Sequence, residues 1–296
     1  METAKDALLH VVRRDPRTCG VPQSRWRLAD LVEYCKWLNL ETESGMSQLL
    51  QRVGIHYKRG RDHVHSPDPF YQAKVDAIQA LKERMQRKHG LEVLLYLDEL
   101  TYYRQPSLAC AYEEAGEARP HAERSLASNT ATRVVGTLDA FSGQVLFQSG
   151  SKVGIKQLVH FYQHVRHTYQ EAQRIWIVLD NWPVHFHPDV LVALEPQETP
   201  FPFSRPANWL QTPSPAAVKR WGELRLPIQF VLLPTYASWC NPIEKLWRKL
   251  KQDVLHLHRR ACDLKALRML VTEFLQQFAA GSSELLRYVG LSKCRI

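Results

Sequence analysis

The chain has 296 residues, 45% of them hydrophobic, with 39 Lys or Arg against 30 Asp or Glu and a formal net charge of +9. That length holds one large domain or two of ordinary size, and the basic balance suits a polyanionic partner. No run approaches the roughly 18 apolar residues of a membrane span, and the opening METAKDALLHVVRRDPR is broken by His and Arg too early for a secretory signal. The six cysteines form no CxxC pair, so they read as scattered, mostly buried thiols of a reducing compartment.

In chain order, SRWRLADLVEY at 24–34 reads as an amphipathic helix capped by Ser24, with Trp26, Leu28, Leu31 and Val32 near helical spacing. A second short helix fits 44–53, with Ser44 or Ser47 as cap and Met46, Leu49, Leu50 and Val53 as its apolar face, and Gly54 stops it. IHYKRGRDH follows, basic and aromatic. Two short helices and a basic strand or wing outline a helix-turn-helix module, and equally a plain helical hairpin with a solvated tail. On the first reading Ser47, Gln48, Arg52, Lys58, Arg59 and Arg61 are the candidate DNA contacts. HSPDPF then makes a linker. The domain reading is 1–66 for the small all-α, winged helix-turn-helix domain, 67–90 for a linker and helix, and 91–296 for an α/β domain.

Residues 70–89 read as a charged helix. LEVLLYLDEL is a buried strand with Asp98 and Glu99 at its end, and 131–139 and 144–148 form a hairpin. A helix fits 155–173. RIWIVLDN, 174–181, is a second buried strand ending in an acid, and IQFVLLP, 228–234, is a third. NPIEKLWRKLKQDV starts a helix with Asn241 as cap and Pro242 at its first position. Helices at 263–279 and 282–290 close the chain. The segment 186–227 holds 8 of the 17 prolines and the aromatics Phe201, Phe203, Trp209 and Trp221. It is expected to be a largely irregular insert with a helix at 215–224, lying outside the sheet and meeting a second subunit or DNA.

A carboxylate at the end of a buried strand costs free energy unless it is paired, hydrogen-bonded or bound to metal. Asp98 and Asp180 are such residues, although strands also end in Asp for no catalytic reason. Glu244, in the first turn of a helix after a third strand, is by itself an ordinary favourable charge at a helix N-terminus. Three acids so placed can meet at one end of an open α/β sheet, where repulsion is relieved by cations between them. Two Mg²⁺ ions roughly 4 Å apart serve phosphoryl transfer. From Glu244 onward 11 Lys or Arg outnumber 5 Asp or Glu, and Arg248, Lys249 and Lys251 make a basic helix face suited to phosphates.

The blocks LDE at 97–99, LDNWPVH at 179–185 and LPTYASWCNPIEKLWRKLK at 233–251 resemble those of mariner-type DDE transposases, above all the bacterial insertion-sequence family called IS six-thirty. The resemblance covers most of the chain. It implies an RNase H-like catalytic domain behind a helix-turn-helix, with Asp98, Asp180 and Glu244 as catalytic metal ligands. Glu99, Asn181, His185, Tyr236, Asn241 and Trp247 fall on motif positions that shape the site. It further implies Mg²⁺ or Mn²⁺, two ions, and cutting and joining of double-stranded DNA at terminal inverted repeats into TA-containing targets. A homodimer on DNA, in the bacterial cytoplasm with the nucleoid and away from membranes, completes the expectation. The spacing from Asp180 to Glu244 exceeds the family's by the proline-rich insert, and Ala237 and Trp182 depart from its pattern. The alternatives are a DNA-binding regulator with a retired catalytic domain and an RNase H-like nuclease that cuts without joining.

Overall fold

Leu8, Leu31, Cys35 and Met46 are the buried centre of the first of two units, Met1–Val64 and His65–Ile296, in a computed structural model that describes residues 2–57, 66–87, 91–116 and 118–292. Three helices surround that centre: α1 Glu2–Arg13, α2 Leu28–Tyr34 and α3 Glu43–Arg52. α1 was not expected from the sequence. Its apolar residues Leu8, Val11 and Val12 are few, and they pay off only against the other two helices. α2 starts at Leu28 and not at Ser24, because the Asp30 carboxylate accepts from the Arg27 amide at 3.1 Å and so closes the helix start. α3 is capped by Thr42, whose Oγ1 accepts from the Gly45 amide at 3.1 Å, and not by Ser44 or Ser47. Gln48 and Arg52 are exposed on α3, and Ser47 is half-buried. Ile55 to Tyr57 form no strand. Lys58, Arg59 and Arg61 lie outside the described residues.

The second unit is built on a five-stranded sheet: β1 Glu92–Tyr103, β2 Ala131–Asp139, β3 Val145–Gly150, β4 Arg174–Leu179 and β5 Ile228–Leu232. The strand order is β3-β2-β1-β4-β5, with the first three antiparallel and β1, β4 and β5 parallel. This is an RNase H-like α/β sheet. β1 runs further than its apolar run suggests. Parallel pairing to β4 ends at Tyr96, yet β2 carries β1 on to Tyr103. Asp98 and Glu99 therefore sit inside the strand, opposite Gly136 and Val135, and not at its end.

Successive side chains of a strand face opposite ways, so both faces must be covered. Leu95 and Leu97 face one core, with α5 Ile155–Thr168, α6 Pro188–Leu191 and α7 Pro215–Trp221. Leu94 and Tyr96 face the other, with α4 Tyr71–Arg87, α8 Ile243–Leu250, α9 Leu264–Gln276 and α10 Ser283–Val289. α5 stops at Thr168, short of 173, because Arg166 donates to the carbonyls of Tyr169 (3.0 Å) and Ala172 (2.8 Å) and folds the chain back. Asn241 does not cap α8; its amide turns inward and Pro242 occupies the cap.

The proline-rich segment corrects the sequence reading most. Phe186, Val190, Ala193, Leu194, Ala217, Trp221 and Leu226 are buried in the first core, and Phe201 and Phe203 pack against it. Phe203 stacks on Phe186 at 4.5 Å, and Trp209 lies beside His187. These aromatics pack on their own domain, against the face of β1, β4 and β5. The five described cysteines are free thiols, as expected, but only Cys35 of them is buried, so the expectation of mostly buried thiols fails. No helix among the described residues is long and apolar enough to cross a membrane.

Candidate active site

The alternation along β1 sends its two adjacent acids to opposite faces. Asp98 faces α8, where the buried Trp247 donates from Nε1 to Asp98 Oδ2 at 2.9 Å. The indole fits because residue 136 is glycine: a Cβ there would meet Trp247 Cη2 at 2.8 Å. Burial, followed by the charges of Glu244, Glu99 and Asp180, pushes the Asp98 carboxyl up to about 8. Those charges come from the first turn of α8, from β1 itself and from the residue after β4. The three acids of the sequence motif thus lie within reach of one another's charge, but among the described residues the group whose ligand atoms all lie within 4.8 Å of one another is Glu99, Asp180 and His185, without Asp98 or Glu244. The Glu244 carboxyl is also raised, by burial first and by Asp180, against the pull of Lys251 and Arg248.

Glu99 faces the other core. There His185, in the 3-10 turn Pro183–Phe186, is wholly buried, with Nδ1 3.0 Å from the Tyr162 hydroxyl and Nε2 3.3 Å from Glu99 Oε1. Trp182 covers the imidazole edge-on at 5.3 Å. Asp180 is exposed, and its Oδ1 accepts from the Trp182 amide at 2.9 Å, which fixes the turn after β4. Asn181 ties that turn to the end of β5 by donating to the Leu233 carbonyl at 2.8 Å. Asn241 Nδ2 donates to the Leu97 carbonyl at 3.0 Å, linking the start of α8 to β1.

The loop between β5 and α8 is held from below. Asp68, before α4, forms a buried ion pair with Lys74 at 2.7 Å and accepts from the Thr235 amide at 2.8 Å. Burial alone would raise its carboxyl, but Lys74 and the amides of Thr235 and Phe70 outweigh that and bring it down to about 2. With Thr235 so held, Tyr236 takes a left-handed backbone (φ 56°) and projects to solvent. Arg248 and Lys251 are exposed beside Glu244, whereas Lys249 is paired with Asp253 at 2.8 Å.

The donors suit a divalent cation. Carboxylates whose charges push up Asp98 and Glu244 favour a positive charge among them, and hard ions take oxygen ligands. Among the described residues, Glu99 Oε1 and His185 Nε2 are buried without a hydrogen-bond partner, which suits a site whose polar atoms await another group. His187 Nδ1 accepts from the Asp189 amide, His256 contacts Ser107, and His258 Nδ1 accepts from the Arg260 amide while its Nε2 is buried without a partner. Tyr162, Gly136, Asp68 and Thr235 escaped the sequence reading. A tyrosine in a helical stripe and a glycine in a strand give no local sign of their distant partners.

A family model described as DDE superfamily endonuclease matches residues 93–268. The insertion element IS630 uncharacterized 39 kDa protein of Shigella sonnei is 21% identical over 254 residues, 85% of this chain. The chain spans 64% of that relative's length. The Mos1 transposase paired-end complex with left transposon end is similar with a TM-score of 0.56 and 16% identity, over 91% of this chain and 76% of that one. The Mos1 mariner paired end complex with Mn gives 0.54 and 17%, over 91% and 76%. The Mos1 strand transfer complex gives 0.53 and 15%, over 91% and 75%.

Proposed function

The chain belongs to the DDE superfamily of endonucleases, and from that premise we propose that it is a transposase, cutting DNA at terminal repeats and joining it to a target through Asp98, Asp180 and Glu244. The approach of these three acids beside the adjacent strands β1 and β4 carries the reading, for the charges of Glu244 and Asp180 bear on Asp98 and that of Asp180 bears on Glu244. Similar proteins solved with transposon ends, and with Mn or Mg, support DNA and divalent cations as partners here. A homodimer holding two ends and a TA-containing target belong to the same reading.

Two divalent ions, when bound, supply the activation of an attacking oxygen and the stabilisation of a leaving one. The chain's residues do the rest. Asp98 and Asp180 present oxygens from rigid positions, Asp98 on the Trp247 indole and Asp180 on the Trp182 amide. Glu244 adds a third carboxylate from α8. Asn181 and Asn241 keep the strand ends and α8 in register through backbone carbonyls. Arg248 and Lys251 offer charge for phosphates beside the acids, with Lys249 held to Asp253; α3 offers Gln48 and Arg52 to DNA, with Ser47 half-buried.

The test is incubation of the full chain with DNA flanking its own gene, with and without Mn²⁺, measuring binding and strand cleavage separately. Parent protein should do both, and Asp98→Ala, Asp180→Ala and Glu244→Ala should bind but not cut. Undiminished cutting by Asp180→Ala overturns the assignment. Binding without cutting by the parent makes the protein a regulator.

A further inference from the structure

We propose that Glu99, Asp180 and His185 form a divalent-cation site on the face of β1 opposite the Asp98–Trp247 contact, one that takes Mn²⁺ or a later first-row transition ion through an imidazole nitrogen. It deepens the proposed transposase site, sharing Asp180 with the acid trio, and it rests on that reading only through this residue.

Three observations carry it. First, one ligand atom from each of the three residues lies within 4.8 Å of the others. Two ligands about 2.1 Å from one ion and at right angles to each other stand about 3 Å apart. His185 Nε2 and Glu99 Oε1 are 3.3 Å apart. Second, both atoms are buried, and among the described residues neither has a hydrogen-bond partner. Close as they are, they do not meet in the geometry of a hydrogen bond. Leaving both unpaired is costly, and an ion between them satisfies both. Third, the rest of the imidazole is braced as a ligand needs. His185 is 0% exposed, and its Nδ1 lies 3.0 Å from the hydroxyl of the fully buried Tyr162. With Nδ1–H donating to that oxygen, Nε2 presents its lone pair to Glu99 and Asp180, the arrangement in which metal-bound histidines are usually held.

The donor set biases the ion. Carboxylates alone suit Mg²⁺ and Mn²⁺ alike, whereas an added imidazole favours the transition ions, the later ones more strongly than Mn²⁺. Asp180 is exposed, which gives an ion a way in from solvent. The pattern of the sequence fits as well: adjacency of Asp98 and Glu99 in one strand puts an acid on each face of β1, so neighbouring sites can share Asp180, the residue after β4.

The experiment is pulsed EPR of the full chain loaded with Mn²⁺, reading nitrogen coupling to the ion, beside a Mn²⁺ binding isotherm. Parent protein should show imidazole nitrogen coupling. His185→Gln should lose it, Asp98→Asn and Glu244→Gln should keep it, and Glu99→Gln should weaken the nitrogen-coupled site by about tenfold or more. Where His185→Gln fails to fold, Glu99→Gln decides the matter: nitrogen coupling and affinity unchanged in that variant overturn the site. Bound Mn²⁺ without nitrogen coupling overturns this site, making Glu99–His185 a plain ion pair and leaving the carboxylate trio standing. Coupling that persists in folded His185→Gln also overturns it. No Mn²⁺ binding at all overturns both this site and the transposase reading.

Discussion

Replacing Trp247 with Phe isolates the support that one side chain gives to Asp98. The indole is 1% exposed and its Nε1 stands 2.9 Å from Asp98 Oδ2. Phenylalanine keeps most of the ring and removes the donor. A hydrogen bond to a charged group contributes about 1.5–3 kcal/mol, which corresponds to roughly 10- to 150-fold in an equilibrium constant. Because the bond favours the ionised carboxylate, its loss lets the proton compete harder with a cation. Mn²⁺ affinity and cleavage should therefore fall by about 10- to 100-fold near neutral pH, and the deficit should narrow above pH 8, where the Asp98 proton leaves. The smaller ring should also cost about 1–3 kcal/mol of stability through imperfect filling of the core. Gly136→Ala approaches the same contact from the other side. Its Cβ would meet the indole at 2.8 Å, so an intact Trp247 should be pushed off Asp98 with a similar loss. The assays are a Mn²⁺ isotherm, a strand-cleavage rate and a melting curve on the same preparations. A Trp247→Phe protein that melts lower yet binds Mn²⁺ and cleaves within about twofold of the parent would refute the reasoning, because packing would then be the indole's whole contribution.

Stability without metal should fall as pH rises between 3.8 and about 8: the folded state holds the Asp98 proton that the unfolded chain has released. Asp98→Asn should flatten that slope, and Mg²⁺ or Mn²⁺ should raise the melting temperature more at pH 8 than at pH 5; a parent and variant with parallel pH profiles would contradict this. Asp68→Ala strands the buried Lys74 ammonium and should cost about 3–5 kcal/mol in denaturant unfolding. Since the Asp68 carboxyl is depressed to about 2, its contribution is present above 3.8 and should disappear as pH falls through about 2; a deficit unchanged at the acid end counts against the ion pair. Phe186→Ala should destabilise the second unit by about 3–5 kcal/mol, for the ring is 0% exposed between Phe203 and Phe230. A loss below about 1 kcal/mol would mean that the proline-rich segment is not part of that core.

The acids and most elements were legible in the sequence because they depend on local signals. Short apolar runs mark β4 and β5, the hairpin of β2 and β3 shows as two β-rich stretches around a turn, and Glu244 stands in the first turn of a helix after Pro242. The family resemblance rested on the same contiguous blocks. What escaped depends on pairs distant in sequence. β1 extends past Asp98 because β2 pairs with it, which no property of LDEL announces. Trp247 reaches Asp98 across 149 positions, and Asp68 reaches Thr235 across 167. Phe201, Phe203 and Trp221 looked like interface aromatics, since a proline-rich run shows no periodicity by which to assign a face. Burial is a property of the folded surface, and only the sheet's uncovered side told those aromatics where to go. Tertiary structure likewise decided that Glu99 and Asp98, neighbours in the chain, look into different cores: a strand's two-residue period is written in the sequence, but which core each face meets depends on the helices packed against it.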